Sequence, residues 1–183
     1  MASPVATWHE DHIHFARLLD LLENQVVQFN RGERPDYSLM ESILYYLRHF
    51  GDRVHHPRED VAYARLVERD PDMEIVVSRL QQEHRVIATV GETLLDRLNE
   101  AERDMISSRA ALEAAAAMYL VYYRNHLSTE ERYVMPRATQ LLTPGDWQAV
   151  EAAVPESADP LFGAATEQRF MMLRNLIESE ACH

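Results

Sequence analysis

The chain has 183 residues, 46% of them hydrophobic, and this length and composition are typical of one globular domain with a substantial core. A formal net charge of −12 repels phosphate backbones and excludes nucleic acid as an expected partner. There is no apolar run near the ~20 residues of a membrane span, no signal-peptide pattern in "MASPVATWHEDH", and only one cysteine, Cys182. These features predict a cytoplasmic protein without a disulfide that does not associate with membranes.

Low turn content and long amphipathic stretches predict an all-α fold. Five glycines and eight prolines leave little material for turns, and apolar residues recur at helical spacing in four long stretches. The segment "NRGERPDYS" separates the first two stretches, "RDPDM" separates the next two, and a short link is expected at Arg103–Asp104. The predicted helices cover about Thr7–Phe29, Tyr37–Glu68, Met73–Ala101 and Ile106–Leu142.

The C-terminal part of the sequence predicts two further helices. "LTPGDW" ends the fourth helix and starts a short one, which Asp146 is expected to cap and which reaches about Val154. After the loop "PESADPLFG", the stretch "AATEQRFMMLRNLIES" has the periodicity of a last amphipathic helix. Four long helices with short links predict an up-down-up-down four-helix bundle with the C-terminal helices packed on one side. We expect a single domain over residues 1–183, with a core bundle at about 7–142 and an extension at about 143–183.

An internal repeat of two helices carries most of the histidine and carboxylate chemistry. "EDHIHFARLLDLL" in the first helix resembles "QEHRVIATVGETLL" in the third, so that His12 corresponds to His84. A His–x–x–x–Glu pair occurs at matching positions in the second and fourth helices. A duplication of two helices is the economical explanation. The two pairs are His55 with Glu59 and His126 with Glu130.

The spacing of each pair places both side chains on one helical face. One such pair alone is usually a surface pair, whereas burying all six groups without partners would be strongly unfavourable. Their joint occurrence on faces that carry apolar residues predicts a site for two metal ions bridged by both glutamates. Mixed imidazole and carboxylate ligation suits iron, with Mn or Zn as substitutes. The apolar residues on the preceding turns are Leu47, Phe50, Val54, Met118, Tyr119, Tyr122 and Tyr123.

These motifs resemble the hemerythrin-like family, also called the HHE cation-binding domain. They are "DH" and "EH" near the starts of the first and third helices, "HHPRED" in the second, "HLSTEE" in the fourth and "DPLFG" before the last helix. The resemblance covers the chain from about Trp8 to Ile177. It implies a four-helix bundle around a non-haem di-iron centre bridged by carboxylates. The ligands that it implies are His12, His55, Glu59, His84, His126 and Glu130.

The third helix departs from the pattern of oxygen-carrying hemerythrins, which have a His–x–x–x–His pair there. The residue four positions before His84 is Leu80, so one histidine is missing and the irons are expected to be less saturated by protein ligands. Glu83 or water is expected to fill the gap. This departure disfavours simple reversible oxygen carriage and favours sensing, iron handling or redox chemistry.

Two residues beside His55 have separate expectations. His56 lies about 100° around the helix from His55 and is expected to be partly exposed, away from the shared face. Pro57 has no N–H to donate to the Arg53 carbonyl, so one helical hydrogen bond is lost, which suggests that His55 needs an altered local geometry as a ligand.

Four residues beside the other predicted ligands also have their own expectations. His9, close to His12, is expected to point away from the site, as is His14, and is the better candidate of the two for an additional ligand. Asp60 and Glu131 follow the two glutamates and are expected either to be solvated or to accept a hydrogen bond from a ligand histidine.

The sequence leaves several functions open. The first is a di-iron protein that binds or senses O₂, NO or peroxide, or takes part in iron homeostasis as a sensor or reservoir. The second is a di-iron redox enzyme for peroxide or NO detoxification or for repair of iron centres, although no substrate pocket is recognisable in the sequence. The third is a metal-free helical interaction module. Met171 and Met172 either form a homodimer interface or cover the bundle.

Overall fold

The computed structural model describes residues 4–102, 109–155 and 157–180. No strand occurs in these ranges, which confirms the predicted all-α class. Besides α-helices they contain a first π segment (Leu47–His55), a second π segment (Glu130–Val134) and 3-10 turns at Pro71–Met73 and Gln168–Phe170. The α-helices are α1 (Pro4–Asn30), α2 (Tyr37–Tyr46), α3 (His56–Arg69), α4 (Glu74–Glu102), α5 (Arg109–Thr129), α6 (Met135–Leu141), α7 (Pro144–Ala153) and α8 (Met171–Glu180).

Four helical rods form the bundle: α1, α2 with α3, α4, and α5 with α6. α4 packs along α5, α1 packs against α5 and α2, and α3 packs against α4 and α6. The turn after α1 contains Gly32 at a left-handed φ of 81°, and Asp36 caps α2 by accepting the Leu39 N–H at 2.9 Å. The predicted four-helix bundle is therefore confirmed. The expected link at Arg103–Asp104 and helix start at Ile106 lie outside the described residues.

The second and fourth rods are not the unbroken α-helices that the sequence predicted, because each contains a π segment. At the end of the first π segment the His56 N–H donates to Gly51 O, and at the end of the second the Met135 N–H donates to Glu130 O. Each bond therefore reaches five residues back, as in a π-helix. A proline follows each segment, in the first turn of the next α-helix, where its missing N–H does little harm. These prolines are Pro57 and Pro136.

The bundle core has a polar layer between two apolar ends. A large apolar cluster from α1, α2, α4, α5 and α8 fills one end, and two smaller clusters, mainly from α3, α4, α6 and α7, fill the other. On α4, for example, Leu80 belongs to a small cluster, Ile87 belongs to the large one, and His84 lies between them. Apolar side chains thus close the polar layer from both sides, and electrostatic interactions inside it are strengthened.

The two C-terminal helices pack on the outside of the bundle, α7 against α3 and α8 against α2. Thr143, not the predicted Asp146, is the N-cap of α7; Asp146 lies three residues further and accepts the Thr143 N–H at 2.7 Å. α8 begins at Met171 and not at the predicted Ala164, because the preceding backbone is still extended at Glu167 and turns through a 3-10 segment first.

Candidate metal centre

All six predicted ligands lie in the polar layer. α1 and α4 supply one histidine each, and each of the other two rods supplies one histidine and one glutamate. None of the six residues is more than 7% exposed. They are His12, His55, Glu59, His84, His126 and Glu130.

The Glu59 carboxylate lies among histidines of three rods. Its Oε1 is 3.0 Å from His55 Nε2 and 3.4 Å from His12 Nε2. Its Oε2 is 3.5 Å from His84 Nε2. The two oxygens of one carboxylate therefore face different histidines, which is the arrangement that bridging between two cations requires.

The Glu130 carboxylate also contacts histidines from both halves of the repeat. Its Oε2 is 3.5 Å from His12 Nε2 and 3.2 Å from His126 Nε2, and its Oε1 is 3.9 Å from His84 Nε2. The Nε2 atoms of His84 and His126 are 3.1 Å apart. The histidines thus form two groups, one with His12 and His55 and one with His84 and His126, and both glutamates lie between the groups.

In each His–x–x–x–Glu pair, a carboxylate from the same half of the repeat lies behind the histidine, next to its Nδ1 atom. Asp11 lies 2.9 Å from His55 Nδ1, and Glu83 lies 3.3 Å from His126 Nδ1. Glu83 also accepts a hydrogen bond from Arg79 at 2.8 Å. Of the two expected ways to fill the ligand gap, Glu83 or water, the geometry opposes Glu83, because its carboxylate faces Nδ1 of His126 instead of the space between the two groups.

For the other two histidines, the carboxylate that faces Nδ1 comes from the opposite half of the repeat. Asp60 lies 3.0 Å from His84 Nδ1, and Glu131 lies 3.4 Å from His12 Nδ1. For Asp60 the hydrogen-bonding alternative is confirmed, and Glu131 lies at contact distance. Because all four Nδ1 atoms face carboxylates, the Nε2 lone pairs are directed at the centre. Metal-bound imidazoles usually have such a partner on the far nitrogen.

His56 is buried, at 2% exposure, and the expectation of partial exposure is wrong. Its ring stacks on that of His84, with centroids 4.2 Å apart and 10° between the planes. One of its ring nitrogens lies within 4.8 Å of ligand atoms of Glu59, His84 and His126. The sequence argument failed because it compared His56 only with its neighbour. Glu59 follows His56 by three residues, and this spacing also joins side chains on a helix.

Several other residues close in sequence to the predicted ligands lie away from the site. The side chain of His9, which was expected to point away from the site, is 57% exposed and has its Nδ1 3.5 Å from Glu131. Met118 and Tyr122 are exposed on α5, whereas Tyr123 is buried. The predicted apolar face before His126 is therefore narrower than the sequence suggested.

Many buried polar atoms in this layer have no hydrogen-bond partner. An unsatisfied buried polar group costs about 1–3 kcal/mol, and native proteins avoid such groups. A cation held between the histidines and glutamates would satisfy the Nε2 and carboxylate oxygen atoms among them, so the residues present fit a metal site. The unpartnered atoms include both ring nitrogens of His12 and His56, Nε2 of His55, Oε2 of Glu59 and both carboxylate oxygens of Glu130.

Burial and neighbouring charges set the protonation of these groups. Burial opposes ionisation of Glu59, but the charge of His55 and the hydrogen bonds from His12, His55 and His84 together outweigh burial and hold the Glu59 pKa well below its usual range. Burial, and then the Glu59 carboxylate, raise the pKa of Glu130. Burial lowers the pKa of His126 to about 4 despite the hydrogen bond to Glu83. Metal binding needs ionised glutamates and neutral histidines. Glu59 and His126 already have that state, whereas Glu130, and His55, whose pKa the Glu59 and Asp11 carboxylates raise to about 9 against the effect of burial, must each release a proton.

A cleft of about 1220 Å³ lies beside the polar layer, between α1, α3 and α7. Its walls include Trp8 and Trp147, whose rings meet edge to face with centroids 5.2 Å apart. Asp11 and His55 also line it. The sequence did not predict a pocket here, because the walls come from helices that are far apart along the chain.

No helix within the described residues has both the length and the apolarity that crossing a bilayer would require.

A comparison with models of known protein families agrees with the geometry of the site. No match was found among curated proteins. The family model of the hemerythrin HHE cation-binding domain matches residues 3–138, a range that contains all six predicted ligands and the repeat. Because the match spans most of the chain, the protein belongs to the hemerythrin HHE cation-binding domain family.

Proposed function

We propose that the protein holds two non-haem iron ions in the polar layer and uses them to bind or sense O₂, NO or related small oxidants, or to take part in iron homeostasis. The observation that carries the proposal is the position of two buried glutamates between two groups of histidines. The proposed ligands are His12, His55, Glu59, His84, His126 and Glu130, and Mn or Zn are possible substitutes for iron.

Bound iron would supply coordination positions for a small molecule and electrons for its reduction. The chain's own residues provide the remaining functions. The carboxylates behind the histidines orient the imidazoles and hold the Nδ1 proton. The apolar ends exclude water from the layer, which protects a reactive centre from side reactions. We place the protein in the cytoplasm, where ferrous iron and reductants are present.

Metal analysis of protein purified without chelators tests the proposal. We expect about two irons per chain, with near-ultraviolet bands from bridged ferric ions. Spectral changes when O₂ or NO is added to the reduced protein would support the binding role. A chain that takes up iron but responds to neither gas would contradict that role and favour an iron sensor or reservoir. A folded protein that retains no metal would contradict all of the metal-dependent functions and favour a metal-free helical interaction module.

A di-iron redox enzyme is the second candidate, and the cleft beside His55 favours it. The cleft is large enough for an organic molecule and is lined by two tryptophans. Turnover of peroxide or NO with an added reductant would support this candidate. Unchanged turnover after Trp147→Ala would separate chemistry on small oxidants from chemistry on a larger substrate in the cleft.

A homodimer is a further proposal. Met171 and Met172 are 46% and 82% exposed, so they do not cover the bundle. Leu173 and Ile177 of the same helix are the residues that pack against the core. Sedimentation of the wild type and of a Met172→Lys variant tests whether the exposed methionines join two copies of the chain.

A further inference from the structure

The two halves of the repeat contribute histidines symmetrically, with the exception of His56. Each half supplies two histidines, each with a carboxylate facing its Nδ1 atom. The residue that matches His56 in the second half is Leu127, which belongs to the large apolar cluster. His56 is therefore an addition to the repeated pattern.

The surroundings of His56 follow the pattern of the other four histidines. Its Nδ1 lies 3.4 Å from Asp52 Oδ1, one turn earlier in the first π segment. The position that matches Asp52 in the second half is Tyr123, so the histidine and its carboxylate occur together in one half only. This pairing indicates a role that depends on both residues, because a buried histidine that only filled space would not need a carboxylate behind it.

No hydrogen bond accounts for the buried ring of His56. Both of its nitrogens lack a hydrogen-bond partner, although the residue is 2% exposed. Since Nδ1 is turned to Asp52, Nε2 is the nitrogen available to the cluster of Glu59, His84 and His126. A cation would satisfy a buried nitrogen lone pair that faces a carboxylate and two other imidazoles.

We propose that His56 is a fifth histidine ligand, and that it binds the ion held by His84 and His126 through its Nε2 atom. The proposal rests on the proposed di-iron function and deepens it, because it assigns three histidines to one ion and two, His12 and His55, to the other. Asp52 is the positioning residue behind His56.

The opposite side of the same group is closed to further ligands. Leu80, one turn before His84, is fully buried and packs in an apolar cluster with Tyr63 and Val77. The gap that the sequence placed on α4 is therefore filled by leucine, and the additional imidazole comes from the neighbouring rod. The first π segment ends at His55, and both consecutive histidines are buried.

Proton NMR of the wild-type chain loaded anaerobically with ferrous iron counts the ligands directly. Each metal-bound histidine with a protonated Nδ1 gives one exchangeable, strongly shifted signal, which ¹⁵N-histidine labelling assigns. We expect five such signals in the wild type and four in His56→Leu. His49→Leu is the matched control and should leave five, because His49 stacks on Tyr45 outside the layer. Four signals in the wild type would overturn the proposal.

Iron affinity gives a second readout. His56→Leu introduces the residue found at the matching position and should weaken binding of one of the two ferrous ions by at least about 10-fold, with the other ion little affected. Unchanged affinity for both ions in a variant of wild-type helicity would overturn the assignment of His56. A wild-type chain that binds no iron would overturn the proposed function as well. The count on the wild type stays decisive even if the variant does not fold.

Discussion

The two halves of the repeat build the same His–Glu pair on different backbones. In the first half the π segment precedes the pair and ends at His55; in the second half it begins at Glu130 and follows the pair. The four-residue spacing from histidine to glutamate is the same in both halves, but the π segment lies before the glutamate in the first half and starts at the glutamate in the second. The comparison indicates that the ligand spacing is constrained, whereas the position of the π segment is not.

Neither half forms a complete site without the other. Asp11 and Glu83 back histidines within their own halves, whereas Asp60 and Glu131 back histidines in the opposite half. The two glutamates likewise contact histidines of both halves. This crosswise arrangement predicts that changes at matching positions have matching effects, and that changes at unmatched positions affect one half alone.

The largest effect is expected at Glu59 and Glu130, the two glutamates that are proposed to bridge the ions. Glu59→Gln and Glu130→Gln each keep the side-chain shape but remove the negative charge that would balance two cations. Iron content, measured by metal analysis, should fall from about two ions per chain to near zero in both variants. Glu68→Gln is the control, because Glu68 lies on the same rod as Glu59 and pairs with Arg65 at the surface. Full iron content in one variant alone would break the equivalence of the halves.

The same two variants should lack the stability that iron is proposed to add to the wild type. A ligand at about 1,000 times its Kd stabilises the folded state by about 4 kcal/mol. For a chain of this length that corresponds to a rise in Tm of roughly 8–16 °C. Calorimetry with and without ferrous iron should show this rise in the wild type and in Glu68→Gln, and no rise in the two bridging variants.

A smaller effect is expected at the carboxylates that back the histidines of the two pairs. Asp11→Asn and Glu83→Gln remove the charge beside His55 and His126 respectively, and should each weaken ferrous iron binding by about 10–100-fold. Equal losses of iron affinity in titrations of the two variants would support equivalent roles for the two halves of the repeat. A loss in only one of them would show that the halves bind their ions differently. Glu10→Gln, exposed beside Asp11, is the control.

The sequence predicted the bundle and the meeting of the six side chains because both depend on side-chain spacing. Apolar periodicity identifies the rods, and the repeated spacing from His55 to Glu59 identifies the shared face. The π segments depend on a different choice of backbone acceptor, which leaves no periodic trace in the side chains. His56 was assigned to the wrong surface for another reason, because it was compared with His55 and not with Glu59 three residues later.

The next effect tests a contact that only the first half has. A Cβ added at Gly51 would lie 2.7 Å from the Tyr123 hydroxyl, and the matching position in the second half is the exposed Tyr122. Gly51→Ala should lower stability by about 1–3 kcal/mol through overpacking. Thermal unfolding measures the loss, and Gly145→Ala is the control, since its nearest contact, Thr143 Oγ1, is 3.8 Å away. A double variant with Tyr123→Phe should recover stability; no recovery would show that the backbone itself is strained.

The smallest effect is expected at Pro57, which follows the first π segment. Alanine at this position restores an N–H group that can donate to Arg53 O and so favours ordinary α-helical bonding over the π segment. That change would rotate His55 and His56 relative to Glu59, and ferrous iron affinity should fall by less than about 10-fold. Pro144→Ala is the control, because Pro144 begins α7 on the outside of the bundle. Unchanged affinity in Pro57→Ala would show that packing maintains the π segment, with Gly51 and Tyr123 as the relevant contact. Pro57 would then be compatible with the π segment without being its cause.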